Sequence, residues 1–131
     1  MKFYGEGMKK YELLKNDTKT INGRTLYRIK ALRSFGNIIK GTLGGYIEKE
    51  SNLSHDDNAW VYGGADVSGD AKVYGNARVS DNAWVYGNAK VYGDAEVYEF
   101  SRVTRNISKD IKDCKNNTFI PENNLSKILW K

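Results

Sequence analysis

The chain is poor in the residues that most often carry chemistry. Its 131 residues include one cysteine, Cys114, one histidine, His55, and one proline, Pro121. A lone cysteine excludes an internal disulfide and fits a reducing compartment. With no histidine or second cysteine near it in sequence, Cys114 reads as a small buried or idle thiol. A single histidine excludes a three-histidine zinc site. No run of about 18 apolar residues occurs, and the opening MKFYGEGMKK lacks the apolar stretch of a signal peptide. Gly41, Gly44 and Gly45 fit neither a P-loop nor a dinucleotide-binding spacing. These absences predict a cytoplasmic, soluble, single-domain protein with no metal and no cofactor.

The net charge of +5 is unevenly spread. Residues 1–46 hold ten Lys/Arg against three Asp/Glu, residues 47–104 five against ten, and residues 105–131 six against three. A basic head, an acidic middle and a basic tail predict three segments: a cap over 1–51, a repeat region over 52–104, and a tail or cap over 105–131. Lys9, Lys10, Arg24, Arg28, Lys30 and Arg33, with Tyr27, form the candidate basic patch for nucleic acid, set against lysines and arginines scattered over a solvated surface.

What the chain has in abundance is a period of six. Alanine recurs at Ala59, Ala65, Ala71, Ala77, Ala83, Ala89 and Ala95, with Ser101 in the next slot. Valine recurs at Val61, Val67, Val73, Val79, Val85, Val91, Val97 and Val103. An internal period of this kind decides the architecture. Within each A-x-V-Y unit, alternation puts Ala and Val on one side and x and Tyr on the other. The Gly, Asn and Asp residues between units tolerate positive φ and make corners. An antiparallel meander would leave a whole Ala/Val face needing an apolar cover that the rest of the chain cannot supply. A coil of three short strands, turning the same way at every corner, closes that face on itself. The prediction is therefore an all-β fold: a parallel β-helix of about three coils, each of 18 residues, roughly 13 Å tall.

Read from valine, each unit becomes V-Y-G-N-A-x, which resembles the hexapeptide repeat of left-handed parallel β-helix proteins. The resemblance covers residues 52–104. More narrowly, "NAWVYGNAKVYGDAEVY" behind "TLYRIKAL" and "GTLGGYIEKESNLS" is similar to uncharacterised hexapeptide-repeat proteins of bacterial prophages. It implies a left-handed coil, trimers built by side-by-side packing, and for many family members acyl transfer with a histidine base. It also implies phage origin, action in a host cytoplasm, and a counter-defence role exerted by binding a host macromolecule or sequestering a ligand. The chain departs from the wider family in placing tyrosine after the inward aliphatic.

The ends of so short a prism need covers. Residues 10–16 and 24–32, joined across "DTKTING", are expected to be two strands of a hairpin-like N-terminal cap, with Leu53 in the alanine slot of the first coil. "ENNLSKILWK" after Pro121 predicts a terminal helix with Leu125, Ile128 and Leu129 on one side, and residues 1–7 a loose extension.

Residues 18 apart should stack. One face then carries Trp60, Arg78 and Glu96 beside Tyr62, Ser80 and Tyr98. A second carries Asp66, Trp84 and Arg102 beside Ser68, Tyr86 and Thr104. The third carries Lys72 and Lys90 beside Tyr74 and Tyr92. Outward Trp60, Trp84, Tyr62, Tyr74, Tyr86, Tyr92 and Tyr98, with Arg78 and Arg102, are of the types that dominate interfaces, so they are the candidate contacts for a homotrimer or another partner. His55, six residues before Val61, falls in an inward slot and is the catalytic candidate only if the chain is an acyltransferase. A non-catalytic binding scaffold is the preferred reading; a minimal acyltransferase and a nucleic-acid binder are the alternatives.

Overall fold

A computed structural model describes residues 9–107. The expected terminal helix, Cys114, Pro121 and the extension over 1–7 lie outside the described residues.

Strand β1 (Tyr11–Ile21) and strand β2 (Arg24–Ala31) form an antiparallel hairpin. The turn is only Asn22-Gly23, both at positive φ (50° and 80°), the two-residue turn that matches strand twist. The first strand therefore runs beyond residue 16, through the segment expected to be loop. A register shift between Leu14 and Thr18 absorbs the mismatch with β2.

Strand β3 (Leu43–Ile47) joins this hairpin to the repeat: it pairs antiparallel with β2 and parallel with β5 (Asp66–Val67). The other repeat strands are β4 (Trp60–Val61), β6 (Lys72–Val73), β7 (Arg78–Val79), β8 (Trp84–Val85), β9 (Lys90–Val91), β10 (Glu96–Val97) and β11 (Arg102–Val103). They stack in three parallel sheets. One runs β3-β5-β8-β11 and is extended by the hairpin; the second is β4-β7-β10; the third is β6-β9. From β4 onward strand partners lie 18 residues apart, as in Trp60↔Arg78, Trp84↔Arg102 and Lys72↔Lys90. The fold is the self-filling parallel coil that the period of six predicts.

All eight repeat valines and all seven repeat alanines are buried. Each coil thus supplies its own core, and neighbouring coils add to it at the parallel-strand spacing of about 4.8 Å. The corners crowd together as well. At Gly75 (φ 73°) an added Cβ would stand 2.9 Å from the Gly93 nitrogen of the next coil, which requires glycine on both counts.

The period breaks at both ends of the repeat. Ile47 pairs with Val67 and Leu53 with Val73, each twenty residues apart, while Val91 pairs with Ile107, sixteen apart. Leu53 therefore fills a valine slot, not the expected alanine slot. The two extra residues lie between Leu53 and Ala59, in a longer corner. That corner carries His55 out of the lumen, correcting its expected inward position.

The N-terminal rim of the prism is sealed face by face. Strand β2 covers the first sheet by pairing with β3. On the second sheet, the Lys10 ammonium donates to the carbonyls of Ala59 (2.6 Å) and Asp57 (2.9 Å). On the third, the Tyr11 hydroxyl donates to Leu53 O (2.5 Å) and Glu50 O (2.9 Å). Trp60 is the second correction. It points away from the lumen but is fully buried, edge-on to Tyr11 (6.3 Å) and Phe35 (5.3 Å), so it belongs to the cap and not to an outer interface.

Candidate binding surfaces

The longer corner gathers the only histidine with charged neighbours. Its ring stacks on Tyr11 (centroids 4.1 Å, 12° between planes). The Lys10 backbone N–H donates to His55 Nδ1 (3.1 Å), which requires that nitrogen to be unprotonated. The proton then sits on Nε2, 3.0 Å from Glu50 Oε1. Burial first of all, with Lys9 and Lys10 adding to it, holds the imidazole below its ordinary pKa, against the pull of Glu50. Burial pushes the Glu50 carboxyl up, but hydrogen bonds from Lys9 and His55 outweigh it and leave the group below its ordinary value. Both ring nitrogens are thus committed to holding the cap on the coil.

Five of the six basic residues of the head are engaged by other groups of the protein. Lys10 is buried, with its pKa lowered to about 8, chiefly by desolvation. Lys9 pairs with Glu50 (3.0 Å), Arg24 with Glu48 (3.0 Å) and Arg28 with Asp17 (3.6 Å). Arg33 donates to the His55 carbonyl. A phosphate backbone would have to compete with these carboxylates. Among the described residues no cluster of three His, Cys, Asp or Glu could hold a metal, and no helix is long and apolar enough to cross a membrane.

The outer faces hold the ordered aromatics. On the third face Tyr74 and Tyr92 stack in adjacent coils (5.2 Å, 7°), above the Lys72 and Lys90 row. On the first-sheet face Trp84 stacks on Tyr86 (4.2 Å, 29°), Arg102 lies over the indole (5.7 Å), and the indole N–H donates to Ser68 Oγ (3.2 Å). These side chains are half-buried or exposed and are held by one another, so an incoming surface would meet them already ordered. On the remaining face Arg78 reaches Glu96 (3.6 Å), and Tyr62 and Tyr98 flank Ser80 at a cleft of about 420 Å³. Residue type singled out Tyr62, Arg78 and Tyr98 of its lining but not the gap between them, because the residue that leaves it is a serine. The signal was there: Ser80 interrupts a tyrosine row in the 18-residue register.

No family model matches the chain. It is similar to an uncharacterised acetyltransferase, YdcK, of Escherichia coli strain K12, at 36% identity over 59 residues. The match covers 40% of this chain and 18% of that protein, so the chain spans less than a fifth of the relative it matches. The likeness fits a parallel β-helix.

Proposed function

We propose that the protein is a non-catalytic binding scaffold that self-associates, as a homotrimer, through the face carrying Trp84, Tyr86 and Arg102. The observation that carries this reading is the pre-stacked array itself. Two large rings and a guanidinium, fixed by mutual contact and by Ser68, form the kind of rigid aromatic-and-arginine cluster that concentrates binding energy. The prism needs none of them for its core, since valine and alanine fill it. The resemblance to trimer-forming hexapeptide proteins supports the choice of a second copy as occupant. Sedimentation of the wild type and of the Trp84→Ser/Tyr86→Ser variant, over a range of concentrations, tests it. The expected result is a trimer for the wild type and a folded monomer for the variant; a wild type that stays monomeric at every concentration overturns the reading.

Acyl transfer is the second reading, favoured by the likeness to a protein named an acetyltransferase. It requires a free general base, and His55 would have to leave both Lys10 N–H and Glu50 to act as one. Turnover of acetyl-coenzyme A with an amine or hydroxyl acceptor, abolished in His55→Ala while the fold is kept, would establish it in place of the scaffold.

A further inference from the structure

We infer that the cleft between Tyr62 and Tyr98 is a binding site for one planar nitrogen heteroaromatic ring, inserted over Ser80 as the missing rung of an aromatic ladder.

The register carries the geometry. Trp60, Arg78 and Glu96 are paired strand to strand, so Tyr62, Ser80 and Tyr98, two residues further on, occupy successive coils of the same face. Backbone bonds Tyr62 N to Val79 O and Ser80 N to Val97 O keep that register through the row. At the backbone the two tyrosines are therefore separated by two strand spacings, about 9.6 Å. A ring placed midway would lie about 4.8 Å from each, inside the 4.5–7 Å range of favourable ring pairs. Tyr74 and Tyr92 show what this coil spacing gives when adjacent rungs are both filled: near-parallel rings 5.2 Å apart. Serine leaves the corresponding space open over Ser80, and the cleft there is lined by Tyr62, Arg78, Ser80, Asp81, Glu96 and Tyr98.

The rim selects the ring. Two carboxylates, Asp81 and Glu96, stand against one guanidinium, Arg78, and tyrosine faces carry the negative side of their quadrupole. A neutral or cationic ring bearing N–H donors suits that field, and an anionic ring does not. The site lies on a different face from Trp84 and Tyr86, so it stands or falls separately from self-association.

Adenine serves as the probe, with benzoate as the anionic control, read by calorimetry and by the tyrosine ring resonances of the full chain. The expected result is saturable adenine binding that shifts Tyr62 and Tyr98. It should be lost at least tenfold in Ser80→Tyr, which fills the rung, and kept in Tyr74→Ala; benzoate should bind at least tenfold more weakly. Ser80→Ala, which keeps the space, should bind within about threefold of wild type and separates loss of room from misfolding. No saturation by adenine at millimolar concentration overturns the proposal. So does equal binding by Ser80→Tyr, or a change of oligomeric mass in Ser80→Tyr without a change in adenine affinity, which would assign the cleft to a second copy.

Discussion

The Lys10 ammonium lies 2.6 Å from the carbonyl oxygen of Ala59, a group that has no coil above it to bond. One side chain from the hairpin thereby does for the second sheet what a neighbouring strand would otherwise do. It comes at an electrostatic cost. Lys10 is buried and its pKa falls from 10.5 to about 8, so the unfolded chain binds this proton more tightly than the folded one. The cost is full below pH 8, shrinks as pH rises from 8 to 10.5, and amounts to about 3 kcal/mol at 1.36 kcal/mol per pH unit. Lys10→Met should abolish this alkaline rise. At pH 7 relief of that cost opposes the loss of a donor to two carbonyls, so the two proteins should differ there by less than about 2 kcal/mol, and the variant should be the less stable at pH 10. Urea unfolding between pH 7.5 and 10 on both proteins reads the two effects; parallel pH profiles would contradict them.

His55 works in the acid range. Its pKa is lowered from 6.5 in the folded state, so as pH falls below about 6.5 the unfolded chain takes up a proton that the folded chain refuses. Stability from this residue is fully present above 6.5 and declines on acidification. His55→Phe keeps a ring against Tyr11 but cannot titrate, and its stability should be flatter between pH 6.5 and 5. An acid slope as steep as that of the wild type would remove His55 as its source.

Asn52 replaces missing backbone. It is buried where the first coil departs from the regular period. Its amide donates to Gly69 O (3.1 Å) and Ala71 O (2.8 Å), and its oxygen accepts from Glu48 N (2.9 Å) and Lys49 N (2.8 Å). Asn52→Leu would take the partner from Lys49 N, Gly69 O and Ala71 O, while Glu48 N keeps its bond to Val67 O, and should cost about 2–3 kcal/mol. Asn52→Asp would set a carboxylate against two carbonyl oxygens and should cost at least as much. Denaturation midpoints for the three proteins check the order; losses below about 1 kcal/mol would show that water or a shifted backbone replaces the amide.

The core and the outer rows were legible because one local rule, repeated eight times, leaves no competing arrangement for Ala and Val. What escaped the sequence lies where the repeat stops. Nothing local in "SNLSHDDNAW" shows that two residues are extra, so Leu53 and His55 fall in the wrong slots until Val73 is seen opposite Leu53. Trp60 obeys alternation and points outward, yet the covering hairpin reaches it through Tyr11, about fifty residues away, a contact no periodicity encodes. The Gly44-Gly45 pair is another such case. A Cβ on Gly44 would meet Trp60 at 2.8 Å, and one on Gly45 would meet the Tyr62 and Ala65 carbonyl oxygens, so the pair marks where β3 closes on the coil. The basic residues of the head were visible as charges; their pairing with Asp17, Glu48 and Glu50 came only with the fold.

The account rests most heavily on which side chains fill the coil and which stand outside it, and one paired measurement tests that directly. Val79 is fully buried between Val61 and Val97, whereas Lys72 is exposed on a neighbouring face. Urea unfolding of Val79→Asp and Lys72→Asp should give a loss above about 4 kcal/mol, or no folded protein, for the first, and a change within about 0.5 kcal/mol for the second. Equal tolerance at the two positions would contradict the assignment of the faces and every role drawn from it.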